Sequence, residues 1–304
     1  MGKDARVAAL LLVPLLAAWA FSWGRLAAYP LHVPADGDYA AARAVVERSG
    51  FQSTQDAWAV LPPWSLRAWQ AMGDLRLISG DGLARRPLHR YARLFVVVEP
   101  DAEPHLEPLV ARLGPPVERV EAGRLGVWRW DLGGPRVAYD FTARVAEAAV
   151  RIVNAAGTLV ECNQPARGGV SCAGRGGWQR VTRQWLLVTE NGDEALWAHP
   201  PPPGQAVEIA YDGVTLGPSI VVRAGHTRDG ADRATGEVRL RVLVDGVEVG
   251  VVRRVPRFDF VPEEMDTRAL AGAPHRVVFR IETDRDANNH FAFDAYAVAD
   301  GSTP

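Results

Sequence analysis

The residues best suited to chemistry lie in the second half of the chain: Trp178, Trp185, Trp197, His199, Arg223, His226, Arg228, Asn289 and His290. They combine flat aromatic faces with side chains that make directed or paired hydrogen bonds. A pyranose ring presents the complement, an apolar face and an edge of hydroxyls. The set reads as a candidate sugar-binding surface, with Trp197, His199, Arg223, His226, Arg228, Asn289 and His290 as its ligand-binding candidates. Simpler roles compete for some members. Trp185 alternates with Leu187 and reads as core. His226 and Asn289 lie in turn-like segments, where such side chains satisfy backbone groups.

Signatures of catalysis and metal binding are missing. The sequence has no phosphate-binding Gly-rich loop ending in Lys-Ser/Thr, no paired-His zinc helix and no dinucleotide fingerprint. Gly169-Val170-Ser171-Cys172-Ala173 lacks the second Gly of a nucleophile elbow, so Ser171 reads as structural. Asp284, Asp286 and Asn288 have the spacing of calcium ligands. Position six of that loop is Asn289 rather than Gly, however, and position twelve is Ala295 rather than Glu, which favours a polar turn. Asp56, Trp64, Asp81 and His89 follow predicted strands, where open α/β sheets bind ligands. Helix capping and loop solvation account for them equally well. No catalytic residue, metal or cofactor is expected.

Cys162 and Cys172 are the two cysteines, neither in a CxxC and with no His cluster beside them, which argues against a metal site. Across the Gly-rich segment between them they read as a local disulfide in an oxidising compartment, or as free thiols in a reducing one. The compartment follows from the start of the chain. An apolar run from Val7 to Gly24 is preceded by Lys3 and Arg6 and followed by Arg25, which favours a cytoplasmic N-terminus and export of the rest. A retained anchor would use Trp19 and Trp23 as an interfacial belt. A cleaved signal would use Ala18-Trp19-Ala20. The first reading is a single-pass protein of the bacterial inner membrane with its bulk in the periplasm; the alternative is a periplasmic or secreted protein after signal cleavage. A net charge of -2 with no basic stripe gives no sign of nucleic acid as a partner.

The elements that must position these residues fall into two patterns. After the leading segment (1–25) and a Pro-containing linker (26–37), residues 38–133 alternate helix and strand. Asp38–Ser49 reads as a helix, Ala57–Leu61 as a strand, and Ser65 can cap a helix through Leu66, Trp69 and Met72. Leu75–Ile78 is a short strand. Leu94–Val98 is a continuous apolar run, as in a strand buried on both faces. Glu103–Leu113 reads as a helix, followed by strands Val117–Glu121 and Gly126–Leu132. This predicts a small α/β, Rossmann-like unit with a parallel or mixed sheet. Beyond Gly133-Gly134-Pro135 (134–304) short strands follow one another, including Val238–Val244 with strict alternation, Arg257–Val261 and Phe291–Val298. Asp245-Gly246 is a strong hairpin signal, and Phe141–Ala149 is the single helical candidate. The second unit reads as an antiparallel β-sandwich or jelly roll, making the whole an α+β multidomain chain with an N-terminal membrane helix.

Two resemblances carry expectations about function. Asp38 through Ala57-Trp58-Ala59-Val60-Leu61-Pro62-Pro63-Trp64, with Tyr91-Ala92-Arg93-Leu94-Phe95-Val96-Val97, resembles the exported tail of bacterial membrane glycosyltransferases of the dolichyl-phosphate-mannose-protein mannosyltransferase type. The membrane core that holds such enzymes' donor site has no counterpart here, so no catalytic residue carries over. The second half is similar to galactose-binding-like jelly-roll domains through Trp197-Ala198-His199-Pro200, the Val238–Val252 hairpin, Asp266-Thr267, Leu270-Ala271-Gly272, His275-Arg276-Val277 and Phe291-Ala292-Phe293-Asp294. Together with the leading apolar run, which makes the membrane a partner, the resemblances imply a non-catalytic envelope protein with a glycan and an envelope glycosyltransferase as further candidate partners. Its rivals are an enzyme acting on cell-surface glycan or lipid-linked sugar, and a purely structural or protein-interaction module.

Overall fold

The computed structural model describes Trp19 and residues 33–52, 55–63, 65–72, 78, 80, 83–133, 136–174, 177–189 and 192–299. The leading apolar run, Trp64, Asp81 and most of the strand expected at Leu75–Ile78 lie outside the described residues. Among the described residues no helix is long and apolar enough to cross a membrane.

Helix α1 (Asp36–Arg48) begins where Asp38 accepts the Ala35 backbone N–H at 2.7 Å. Strands β1 (Asp56–Leu61), β2 (Arg93–Val98), β3 (Glu118–Ala122) and β4 (Leu125–Asp131) form one sheet in the order β1-β2-β4-β3. Helix α1 and helix α2 (Leu66–Met72) cover one face, packing Tyr39, Val46 and Met72 on Trp58, Phe95, Val97 and Val127. On the other face a 3-10 turn (Glu103–Leu106) and helix α3 (Glu107–Leu113) set Leu106 and Leu109 against Leu94, Val96 and Trp128. Covering on both faces accounts for the unbroken apolar run of β2.

The sheet departs from the Rossmann-like expectation. β1 and β2 are parallel, but β4 pairs antiparallel with both β2 and β3. Only Gly123 and Arg124 separate the paired residues Ala122 and Leu125. So short a connection can make a hairpin but not the crossover that a parallel neighbour requires.

Fourteen strands follow: β5 (Val137–Asp140), β6 (Ala149–Asn154), β7 (Gly157–Glu161), β8 (Gln164–Ala166), β9 (Gly169–Ser171), β10 (Arg180–Leu186), β11 (Asp193–Ala198), β12 (Gln205–Thr215), β13 (Ser219–His226), β14 (Val238–Val244), β15 (Val247–Arg254), β16 (Val261–Asp266), β17 (Pro274–Thr283) and β18 (Phe291–Val298). One sheet runs β16-β13-β18-β11-β10-β9-β8, with β5 beside the end of β18; the other runs β15-β14-β17-β12-β6-β7. From β11 the chain passes repeatedly between the two sheets, the connectivity of a jelly roll. Ile209, Val222, Leu240, Phe279 and Phe293 fill the space between them. Phe141 packs edge-on to Phe279 at 4.9 Å, and Tyr211 donates to the Phe141 carbonyl at 2.8 Å. The Cys162–Cys172 disulfide is buried in this core and ties the end of β7 in one sheet to the end of β9 in the other. Asp245 and Gly246 both have positive φ, 49° and 82°, the geometry that their hairpin signal demands.

Three local expectations change. The helix expected over Phe141–Ala149 is a turn followed by one 3-10 turn, Val145–Glu147, because Phe141 and Val145 both point into the core. The strand expected at Arg257–Val261 begins only at Val261. Its aromatic residues belong to a loop laid on the sheet: a Cβ on Gly225 would collide with the Asp259 carbonyl. Trp185 is not core. It is 54% exposed and Leu187 is 46% exposed, since their side of β10 extends past the cover of the opposing sheet.

The two units meet through charge. On β13, β18 and β11 the alternate residues that face away from the sandwich core include Arg223, Asp294 and Asp193, all buried. The segment between Leu83 and Ala92 of the α/β unit covers them. Arg90 Nη1 donates to both oxygens of Asp294 at 2.8 and 2.7 Å, and its Nη2 reaches Asp140 at 3.0 Å. Arg86 and Arg223 converge on one oxygen of Asp193 at 2.7 and 2.6 Å. Thr142 donates to Asp294 at 2.8 Å, Arg90 lies over the Tyr296 ring, and Phe260 caps Arg223. Three arginines thus neutralise three carboxylates. Burial pushes the Asp193 carboxyl up, but the nearby Arg223 and Arg86 outweigh it and hold it at about 2.

Removing one member strands its buried partners. Asp294→Ala should lower unfolding stability by about 3–5 kcal/mol in urea titrations. The folded value for Asp193 lies below its ordinary 3.8, so its contribution is complete above about pH 4 and disappears as pH falls through about 2. Asp193→Asn should therefore flatten the pH dependence of stability in that window. Reducing the disulfide, which closes a loop with a sequence separation of 10, should cost about 2–3 kcal/mol in the same titration.

Candidate functional site

The seven ligand-binding candidates separate by burial. Trp197 lies on β11 and His199 just beyond its end, while His290 directly precedes β18. With Trp178, from the segment between β9 and β10, they form a cluster of four rings. Trp178 and His199 are 4.6 Å apart by ring centroid, His199 and His290 5.8 Å, and Trp197 and His290 5.0 Å. Trp178 is 42% exposed, whereas His199 is buried. β10, β11 and β18 all reach this end of the sandwich, and their pairing fixes the spacing of the rings.

Polar groups border the rings. His290 Nδ1 lies 3.4 Å from Asp229 on helix α4 (Arg228–Arg233). That short helix, which the sequence pattern does not reveal, starts at Thr227, whose hydroxyl accepts the Gly230 N–H at 3.2 Å. Arg228 is exposed and lies over the Phe258 ring at 4.0 Å. Burial lowers the His199 pKa, against the raising effect of its Pro200 carbonyl partner, and the nearby His290 lowers it further. The ring is neutral near pH 7. Next to Trp178 in sequence, the buried amide of Gln179 has neither its nitrogen nor its oxygen paired among the described residues, and the Trp197 indole N–H has no partner among them either. Buried polar atoms of this kind are uncommon and mark places where water or a ligand supplies the missing bonds.

The other candidates have structural work. His226 Nε2 donates to Asn289 Oδ1 at 2.6 Å, and both residues are fully buried. Asn289 Nδ2 donates to Thr283 Oγ1 at 3.0 Å and to the Arg285 carbonyl at 2.9 Å. The pair fastens the β17–β18 turn to the end of β13; Asn289 reaches backbone carbonyls of the turn, while His226 ends a strand and is bonded to the Asn289 side chain. Arg223 is committed to Asp193. Asn288, with φ of 56°, shapes the same turn. Among the described residues no group of three or more His, Cys, Asp or Glu side chains is placed to hold a metal ion.

In the α/β unit, Asp56 is buried at the start of β1 and paired with Arg93, which also donates to the Ser49 and Gly50 carbonyls at the end of α1. It is a structural ion pair. His89 joins the contact between units, its Nδ1 3.2 Å from the Tyr296 hydroxyl.

No family model matches the chain, and no curated protein matches it. Among solved structures it is similar to the second family-51 carbohydrate-binding module and INT domains of Clostridium perfringens ZmpB, solved with GlcNAc. That match has 16% identity over 39% of this chain and 26% of the other, with a TM-score of 0.29; the chain thus spans about a quarter of that structure's length. It is also similar to the family-51 module from Clostridium perfringens GH95 solved with methyl-galactose, at 13% identity over 49% of this chain and 87% of that one, with a TM-score of 0.28. A third likeness is to a family-35 carbohydrate-binding module from Clostridium thermocellum, at 12% identity over 40% and 87% of the two chains, with a TM-score of 0.26.

Proposed function

We propose that this chain is a non-catalytic envelope protein, anchored by its leading apolar run, that binds glycan through the ring cluster at one end of its sandwich. The observation that carries the reading is Trp178, an exposed indole that forms a cluster with His199, Trp197 and His290. An indole face shields the apolar face of a pyranose, while His290 and Asp229 supply directed polar groups for its hydroxyls. The buried disulfide supports an oxidising compartment, and the flanking charges of the leading run support export. Attachment to an envelope glycosyltransferase belongs to the same proposal and rests on the resemblance of the first half. The buried carboxylates Asp193 and Asp294 are each held by arginines, which supports a structural role for them and not acid–base work.

A glycan array probed with the full chain tests the reading: saturable binding to a defined set of sugars is expected, and uniform absence of binding overturns it. Trp178→Ala should weaken binding by about 2 kcal/mol, tens of fold, while leaving the melting temperature nearly unchanged. Asn289→Ala should do the reverse. It leaves the His226 N–H without its acceptor in the core and should cost about 2–3 kcal/mol of stability, with affinity retained in the folded fraction.

A further inference from the structure

A concave site lies at the seam between the two units, near the opposite end of β18 from the ring cluster, a strand's length of about 25 Å away. It is a cleft of about 510 Å³. Leu113, Trp130 and Leu132 give it an apolar wall, and Arg112 and Arg136, with His89 beside them, give it a basic one.

Each basic residue is held for a reason the fold supplies. Arg136 belongs to the connection between units. Its backbone N–H donates to the His89 carbonyl of the α/β unit, and its carbonyl accepts the Ala299 N–H of the sandwich at 3.0 Å. The side chain therefore projects from a point fixed to both units. Its Nε is buried and has no partner among the described residues. Arg112, near the end of α3, spends one nitrogen on the carbonyls of Ala84 and Arg86, at 2.9 and 2.6 Å. Among the described residues neither arginine meets a carboxylate. Asp131, the acid in the lining, is paired with Arg129 at 3.4 Å. Glu264, which acts on His89 from β16, is bonded to the Ser219 hydroxyl.

The geometry points to a binding site for a small organic anion, a carboxylate or phosphate group carried on a body with an apolar face, received by Arg112 and Arg136. A guanidinium group in a partly desolvated cleft loses hydration. An oxyanion that Arg112 and Arg136 can both grip offsets that cost. Planar donors suit carboxylate and phosphate alike, and the wall from Leu113 to Leu132 favours a ligand with a carbon skeleton over a bare ion.

Titration calorimetry on the full chain with glucuronate, glucose 1-phosphate, inorganic phosphate and glucose tests this. At least one of the two sugar anions should bind saturably at one site, and the tighter of the two names the acid group. Glucose should not bind there, and inorganic phosphate should bind at least tenfold more weakly than the better sugar anion. Arg136→Gln should weaken binding tenfold or more with little change in melting temperature. Arg112→Gln should weaken it too, but that variant also loses two bonds to the backbone, so Arg136→Gln is the deciding one. Trp178→Ala should leave this binding intact, which separates the site from the ring cluster. Absence of heat with both sugar anions, phosphate binding as tightly as they do, or undiminished affinity in Arg136→Gln would each overturn the inference.

Discussion

Asp193 and Asp294 face away from the sandwich core yet are buried, and the rest of the structure is arranged around that fact. A carboxylate removed from water without a counter-charge costs several kcal/mol. Arg223 from the sandwich serves both acids, at 2.6 Å from Asp193 and 3.5 Å from Asp294. The remaining positive charge comes from Arg86 and Arg90 of the other unit. The sandwich sheet is thus electrically complete only with the α/β unit in place. Phe260 and Val188 then pack over the neighbouring outward positions, Ala195 and Ala292, and keep water from the pairs.

This arrangement separates roles that look alike by residue type. Arg223 and Arg228 are near neighbours in sequence, but one is consumed by a buried acid and the other lies exposed over an aromatic ring. His226 and His199 are both buried but differ in their neighbours. His226 is locked to Asn289, while the His199 ring lies tilted beside an exposed tryptophan. Burial and pairing assign the roles that composition leaves open.

Much of the architecture was legible in the sequence because its signals are local. The apolar run of β2, the alternation in β14, the Asp245-Gly246 turn and the pairing of Cys162 with Cys172 each depend on a few adjacent residues. The features without a local signal depend on contacts between distant segments. Arg90 and Asp294 are separated by 204 positions, and neither residue carries a local mark of the other. The one available hint is an aspartate alternating with Ala292 and Tyr296 in an otherwise apolar strand. Trp185 misled because alternation identifies a side of a strand but not how far the opposing sheet extends. The aromatic residues Phe258 and Phe260 suggested a strand when they form a loop that seals the sheet. Within the ring cluster, Trp197, His199 and His290 were visible as residue types, and the pairing of strands supplies their proximity.

The shared charge balance also limits how this sandwich can be inherited. Many binding folds behave as cassettes, joined by flexible tethers and exchanged freely among unrelated chains. Here one sheet borrows two of its cations from residues 83–92. A recombination event that carried the sandwich alone into a new protein would deliver it with uncompensated acids on its flank. The transferable piece is the sandwich together with that segment, and with the layered sheet that holds the segment in position.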